Sequence, residues 1–244
     1  MKHSAWQTFM GILLLLIVCV VSWEAGTLAA VENRRSQMQE EKPLVVIDAG
    51  HGGFDPGKVG IDGQLEKDIN LSIAMRLKEY LEASDVNVVL TRDTDTGLYQ
   101  SGDSHKKVAD MRRRCDIINE ARPDVVVSIH QNSYHQEEIN GGQVFYYKTS
   151  QNGKRLAEIL QKRFDYVLGD KNRRVAKAND NYYLLLHVKE PIVIVECGFL
   201  SNRQEAKNLE SDEYQDRMAW TIHMGILQYL NTREGAQAGN GKTV

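Results

Sequence analysis

From Pro43 onward, short apolar runs alternate with longer stretches in which apolar side chains recur every three or four positions. The short runs, at 44–47, 86–90, 124–129, 144–147 and 192–195, are rich in Val and Ile and read as strands. The run at 124–129 is apolar on both faces, which predicts a central position. Between the runs, Leu65, Ile69, Ile73, Leu77 and Leu81 recur at four-residue steps, the stripe of an amphipathic helix. Further helices are predicted over 108–121, ended by Pro123, over 152–166, and over 205–230. Ser211-Asp212 looks like an N-cap that divides the last one. Strands alternating with helices predict a single α/β domain, a largely parallel sheet covered on both faces.

The ends of the chain read differently. Lys2 and His3 precede an apolar segment at 9–23, the pattern of an export signal or membrane anchor over residues 1–30. Its 15 residues are short for a span, which takes about 20. Thr27-Leu28-Ala29-Ala30 offers a loose cleavage site, so cleaved signal and retained anchor both stand. Residues 31–42 are polar without an apolar period and read as a tether. Residues 43–230 form the domain, and 231–244 read as a disordered tail.

Composition narrows the classes. A net charge of −3 leaves no electrostatic footprint for nucleic acid. Three cysteines, Cys19, Cys115 and Cys197, show no CxxC spacing, so a cysteine metal site is not expected. Cys115 and Cys197 read as small packed hydrophobes rather than a bridge.

The candidate chemistry lies at strand ends. The first strand runs into Asp48-Ala49-Gly50-His51-Gly52-Gly53, and the third delivers His130. The last delivers Glu196, and Glu66 opens the helix after the first strand. In a parallel sheet, strand C-termini and helix N-termini share one edge, so these four residues can converge. Each has an ordinary reading alone: a loop histidine, a helix-start acid, half of an ion pair. Together, two imidazoles and a carboxylate suit zinc better than magnesium or calcium, with Glu196 as the catalytic base. His105 and His135 read as solvated loop residues and His223 as a helix-face residue, while His187 lies near the rim.

The residues also resemble a family. Val46-Ile47-Asp48-Ala49-Gly50-His51-Gly52-Gly53-Phe54-Asp55-Pro56-Gly57 is similar to the opening signature of the zinc-dependent N-acetylmuramoyl-L-alanine amidases. Glu66-Lys67-Asp68-Ile69-Asn70-Leu71, Thr91-Arg92, Ser128-Ile129-His130-Gln131-Asn132-Ser133 and Val195-Glu196-Cys197-Gly198-Phe199-Leu200-Ser201-Asn202 resemble its later blocks, in order. The resemblance implies a twisted mixed sheet of about six strands. It implies His51, Glu66 and His130 as ligands of one zinc ion, and Glu196 as the catalytic glutamate. The implied substrate is the amide joining N-acetylmuramic acid to L-alanine in peptidoglycan, and such amidases can depend on an activating partner protein. Compact form, the export segment and Arg112-Arg113-Arg114-Cys115-Asp116 resemble the sporulation members, which act on spore cortex before muramic-δ-lactam forms.

Around the rim, Asp48 is expected to orient a ligand histidine and Asn132 to meet substrate, while Arg92 is expected to take a structural role, pairing with a buried carboxylate, with a substrate carboxylate as the alternative. The basic cluster from Arg173 to Lys177 reads as a solvated face or a surface for the acidic stem peptide. Tyr182 and Tyr183 read as core or as a sugar platform. A stem-peptide metallopeptidase and a non-catalytic wall-binding module are the competing functions. The membrane is expected to be met only through the N-terminal segment, with the rest outside the cytoplasm.

Overall fold

The computed structural model describes residues 2–40, 42–169 and 172–240. Two units are distinguished, Met1–Lys42 and Pro43–Val244. The first is one helix, α1 (Lys2–Glu40), and it runs through the stretch expected as a tether. Within it, Phe9–Ala30 gives 22 residues of mean hydropathy 2.2, long and apolar enough to cross a membrane. That is longer than the run read from the sequence, because Ala, Gly and Thr after Trp23 extend the helix without breaking it.

The second unit carries β1 (Leu44–Ala49), α2 (Glu66–Ala83), β2 (Asn87–Leu90), α3 (Lys106–Ala121), β3 (Val125–Asn132) and β4 (Gln143–Tyr147). It continues with α4 (Gln151–Leu168), β5 (Lys177–Asn179), α5 (Tyr183–His187), β6 (Ile192–Phe199), α6 (Arg203–Glu210) and α7 (Asp212–Asn240). The six strands form one sheet in the order β2-β1-β3-β6-β4-β5. β2, β1, β3 and β6 run parallel, while β4 is antiparallel to β6 and parallel to β5.

Side chains alternate across a strand, so each face is set by parity. Val45, Ile47, Val125, Val127, Ile129, Val193 and Val195 face one way, toward the apolar stripes of α2, α4 and α7. Ile69, Ile73, Leu77 and Leu81 of α2 are buried there, each contributing roughly 1.5–3 kcal/mol. Val46, Val126, Ile192 and Ile194 face the other way, with Phe145, onto Cys115 and Ile118 of α3 and Leu184 and Leu185 of α5. Going up the strands, the next residues of that second parity are polar: Asp48, Ser128, His130 and Glu196. The second face is therefore apolar below and polar at the C-terminal edge.

Ser211 does divide the last helical stretch: its hydroxyl accepts from Tyr214 N at 3.3 Å. α7 continues to Asn240 where a disordered tail was expected. Glu41, Lys171 and residues 241–244 lie outside the described residues. β5 and α5 fall where no element was assigned; β5 is three residues long and exposed in its first two, so it carries no apolar signal.

Candidate metal centre

His51 follows β1 with φ 62°, the left-handed region that a non-glycine residue rarely adopts. The turn is held from outside: Arg114 Nη2 donates to His51 O at 2.5 Å, and Gly50 N donates to Ile129 O at 3.1 Å. Two glycines make room. A Cβ on Gly50 would meet the His130 ring at 2.3 Å, and one on Gly57 (φ 69°) would meet Glu66 Oε2 at 2.6 Å.

His130 and Glu196 are register partners across β3 and β6, which sets the two side chains next to each other on the polar edge. A register shift follows between His130 and Asn132. It leaves Gln131 unpaired in the ladder, and its N–H donates to Glu66 Oε1 at 3.1 Å. Glu66, at the start of α2 and 1% exposed, also accepts from Lys58 N at 2.7 Å.

Three ligand atoms, one each from His51, Glu66 and His130, lie within 4.8 Å of one another. His130 Nδ1 is 2.9 Å and His51 Nε2 is 3.2 Å from the same Glu66 Oε1. His51 Nδ1 donates to Asp55 Oδ2 at 3.0 Å. A neutral imidazole that donates at Nδ1 has a lone pair at Nε2, and that lone pair faces a carboxylate oxygen. A cation between them resolves the clash, and two nitrogens with one carboxylate oxygen fit a catalytic zinc with an open position. The donor set therefore fits the metal.

The electrostatics follow from burial. Burial pushes Glu66 up, but the imidazoles of His130 and His51 beside it, His130 first, outweigh it and hold the carboxyl well below the usual range. Burial pulls His130 down, and the Glu66 carboxylate more than reverses it. Burial, opposed by the His130 charge and reinforced by that of Glu66, pushes Glu196 up to about 7. Its Oε2 is buried without a hydrogen-bond partner among the described residues. A carboxylate poised near neutral pH with one free oxygen suits proton transfer.

One expectation is corrected, and Arg92 takes its structural role on carbonyls rather than on a carboxylate. Asp48 does not touch His51. It is fully buried and accepts from Thr91 Oγ1 at 2.7 Å, Ser128 Oγ at 2.5 Å and Arg114 Nη1 at 2.6 Å. Parity explains this: Asp48 points to the second face, beneath α3, whereas His51 lies past the turn. The carboxylate that orients His51 is Asp55, four residues on. Arg92 does not reach toward substrate. It is buried, and its guanidinium donates to the carbonyls of Ala49, Gly50, Lys67 and Thr94, pinning the turn.

The remaining residues are placed as follows. Asn132 Oδ1 accepts from Ser133 N at 2.8 Å, a local contact, and no hydrogen bond from its side chain to the triad is present among the described residues. Arg173 and Arg174 line a separate cavity with Glu205 and Tyr214, and Arg174 stacks on Phe199 at 4.8 Å. Tyr182 and Tyr183 line the cavity that His51 and His130 border. His187 is exposed and stacked on Tyr183 at 3.9 Å. His223 is buried, with Nε2 2.8 Å from Ser84 Oγ. Cys115 and Cys197 are free and buried. Sequence reasoning missed Asp55 and Arg114; the i+4 spacing from His51 was the available signal for Asp55.

An α/β domain that gathers two imidazoles, a shielded carboxylate and an unpartnered buried acid at one sheet edge has the donor set of a metal-dependent hydrolase. The chain belongs to the N-acetylmuramoyl-L-alanine amidase family, whose model, Amidase_3, matches residues 45–228. It is 36% identical over 193 residues to the germination-specific N-acetylmuramoyl-L-alanine amidase of Bacillus subtilis (strain 168), covering 78% of this chain and 81% of that one. Among solved structures, the CwlD amidase from Clostridioides difficile in complex with the GerS lipoprotein matches at 39% identity. The match has a TM-score of 0.76 and covers 78% of this chain and all of that one. The catalytic domain of CwlV from Bacillus (Paenibacillus) polymyxa var. colistinus matches at 32% identity and TM-score 0.68, covering 78% and 98%. The protein is thus an N-acetylmuramoyl-L-alanine amidase, and its sheet and helices are those of the family.

Proposed function

We propose that the chain hydrolyses the muramoyl–L-alanine amide of spore-cortex peptidoglycan through one zinc ion held by His51, Glu66 and His130. The observation that carries this reading is the convergence of those three donors beside Glu196, whose Oε2 has no hydrogen-bond partner among the described residues. When bound, zinc polarises the amide carbonyl and lowers the pKa of water toward about 7.

The chain's own residues do the rest. Glu196 receives the proton of the attacking water and returns it to the departing nitrogen of L-alanine as the C–N bond breaks, leaving the lactyl carboxylate on the sugar. Asp55 holds His51 in one tautomer, and such partners commonly govern affinity by 10- to 100-fold. Lys58 N and Gln131 N donate to the Glu66 carboxylate and fix its position.

The cortex assignment is supported by the likeness to the germination-specific amidase. Export or membrane anchoring is supported by the 22-residue apolar helix near the N-terminus. An activating partner is supported by the solved CwlD amidase, which is in complex with a lipoprotein. The test is digestion of cortex peptidoglycan with zinc supplied. New L-alanine amino termini and intact lactyl groups are expected; new ends inside the stem peptide would contradict the reading.

A further inference from the structure

The cavity bordered by His51 and His130 is walled by Phe54, Met111, Tyr182, Tyr183 and Leu184. Among the described residues lining it, two carry a fixed positive charge, Arg114 and Lys107. Arg114 is 1% exposed and fully committed. Its Nε donates to Asp110 at 2.6 Å, Nη1 to Asp48 and Ala49 O, and Nη2 to His51 O. Lys107 is different: its side chain is 69% exposed, and its one ion pair is to Asp55 Oδ2 at 3.3 Å. An exposed pair of this kind is worth little, so the ammonium can be shared or transferred. The cavity's acids are occupied in turn: Asp48 and Asp110 by Arg114, and Asp55 by His51 and Gly57 N.

An apolar-walled cavity with one available cation selects a ligand with an uncharged body and a single anionic group. Its position sets which group. The Asp55 oxygen that meets Lys107 also lies 3.0 Å from His51 Nδ1, so one carboxylate separates the ammonium from the triad. An extended peptide advances about 3.3–3.6 Å per residue, which puts the second residue of a stem about 7 Å from the scissile amide. We infer that Lys107 is a specificity residue, pairing with the free α-carboxylate of the acidic second residue of the stem peptide. This rests on the amidase reading above and names the part of the substrate that the cavity recognises. It also moves the basic surface for the stem from the Arg173–Lys177 cluster, whose Arg173 and Arg174 line a different cavity, to the first turn of α3.

The test uses two muramyl dipeptides, N-acetylmuramoyl-L-alanine linked to D-glutamate or to D-isoglutamine, which differ in that carboxylate alone. Turnover is measured in the zinc-supplied enzyme, and binding by calorimetry in the Glu196→Gln background, where the ligand survives. The D-glutamate ligand is expected to bind about tenfold tighter. Lys107→Met should erase the preference by weakening that ligand alone, with kcat within about twofold, and Lys107→Arg should restore it. Equal binding of both ligands would overturn the inference, as would a Lys107→Met loss common to both, which is the signature of an effect passed through Asp55 to His51. Failure of the wild type to bind or cleave either dipeptide would reject the proposed zinc-site mechanism and the subsite with it.

Discussion

Two clusters of buried charge stand side by side at the C-terminal edge of the sheet, and they are built on opposite plans. In one, Asp48 and Arg114 meet at 2.6 Å, with Thr91, Ser128 and Asp110 filling their remaining valences. Both charged groups are fully satisfied. In the other, Glu66 is equally shielded, but two imidazoles converge on one of its oxygens, and Glu196 beside them keeps a buried oxygen without a partner. Desolvating a carboxylate is costly unless it is paired. The first cluster meets that cost and fixes the turn carrying His51. The second leaves it unmet at the atom where a proton must be received. Saturation marks structure here, and its absence marks chemistry.

The comparison is broken most sharply at Glu196. Glu196→Gln should lower kcat by about 10²- to 10⁴-fold while thermal unfolding shows no loss of stability, since it removes an unpaired buried charge. Retention of more than a tenth of wild-type kcat would remove Glu196 from the mechanism. At the saturated cluster the signature is reversed. Asp48→Asn removes the fully buried carboxylate paired with Arg114, leaving it only the partly exposed Asp110, and should cost about 3–5 kcal/mol in denaturant unfolding at neutral pH.

That deficit has a pH dependence. Burial pushes the Asp48 carboxyl up, yet Arg114, Ser128 and Thr91 outweigh it and hold it at about 2. Its contribution is complete above the unfolded value near 4 and is lost as pH falls through about 2, a loss of roughly 2 kcal/mol. The gap between wild type and Asp48→Asn should therefore narrow between pH 4 and pH 2. A constant gap would show that the charge pair is not what Asn removes.

Asp55 lies between the two plans, and its effect should be smaller. Asp55→Ala is expected to weaken zinc binding by about 10- to 100-fold in competition titrations while the fold is retained. The smallest effect is at the thiols. Cys115 and Cys197 are buried in opposite cores, and burial pushes Cys115 up to about 11. Iodoacetamide should leave both unlabelled in the native state, and labelling without unfolding would contradict their packing.

Much of this was legible along the chain, for a physical reason. The Val- and Ile-rich runs of β1, β3 and β6 end where His51, His130 and Glu196 begin, so hydrophobic periodicity alone located the polar edge. Glu66 was legible only as an acid opening α2. What periodicity cannot carry is which charge meets which. Arg114 reaches Asp48 across 66 positions, a pairing set by how α3 docks on the second face. The same docking takes Asp48 from His51 and leaves that role to Asp55. Arg92 keeps a substrate cation as its alternative in sequence because nothing local shows that four carbonyls consume it. β5 escaped because an edge strand of Lys-Ala-Asn has no buried face to reveal.

The central claim is that His51, Glu66 and His130 form one metal site, and calorimetric titration of zinc into the purified chain tests it most directly. The account predicts one ion per chain, with affinity lost at least about 100-fold in His51→Ala and His130→Ala alike. Equal zinc uptake by the wild type and these variants, or no uptake by any of them, would contradict it.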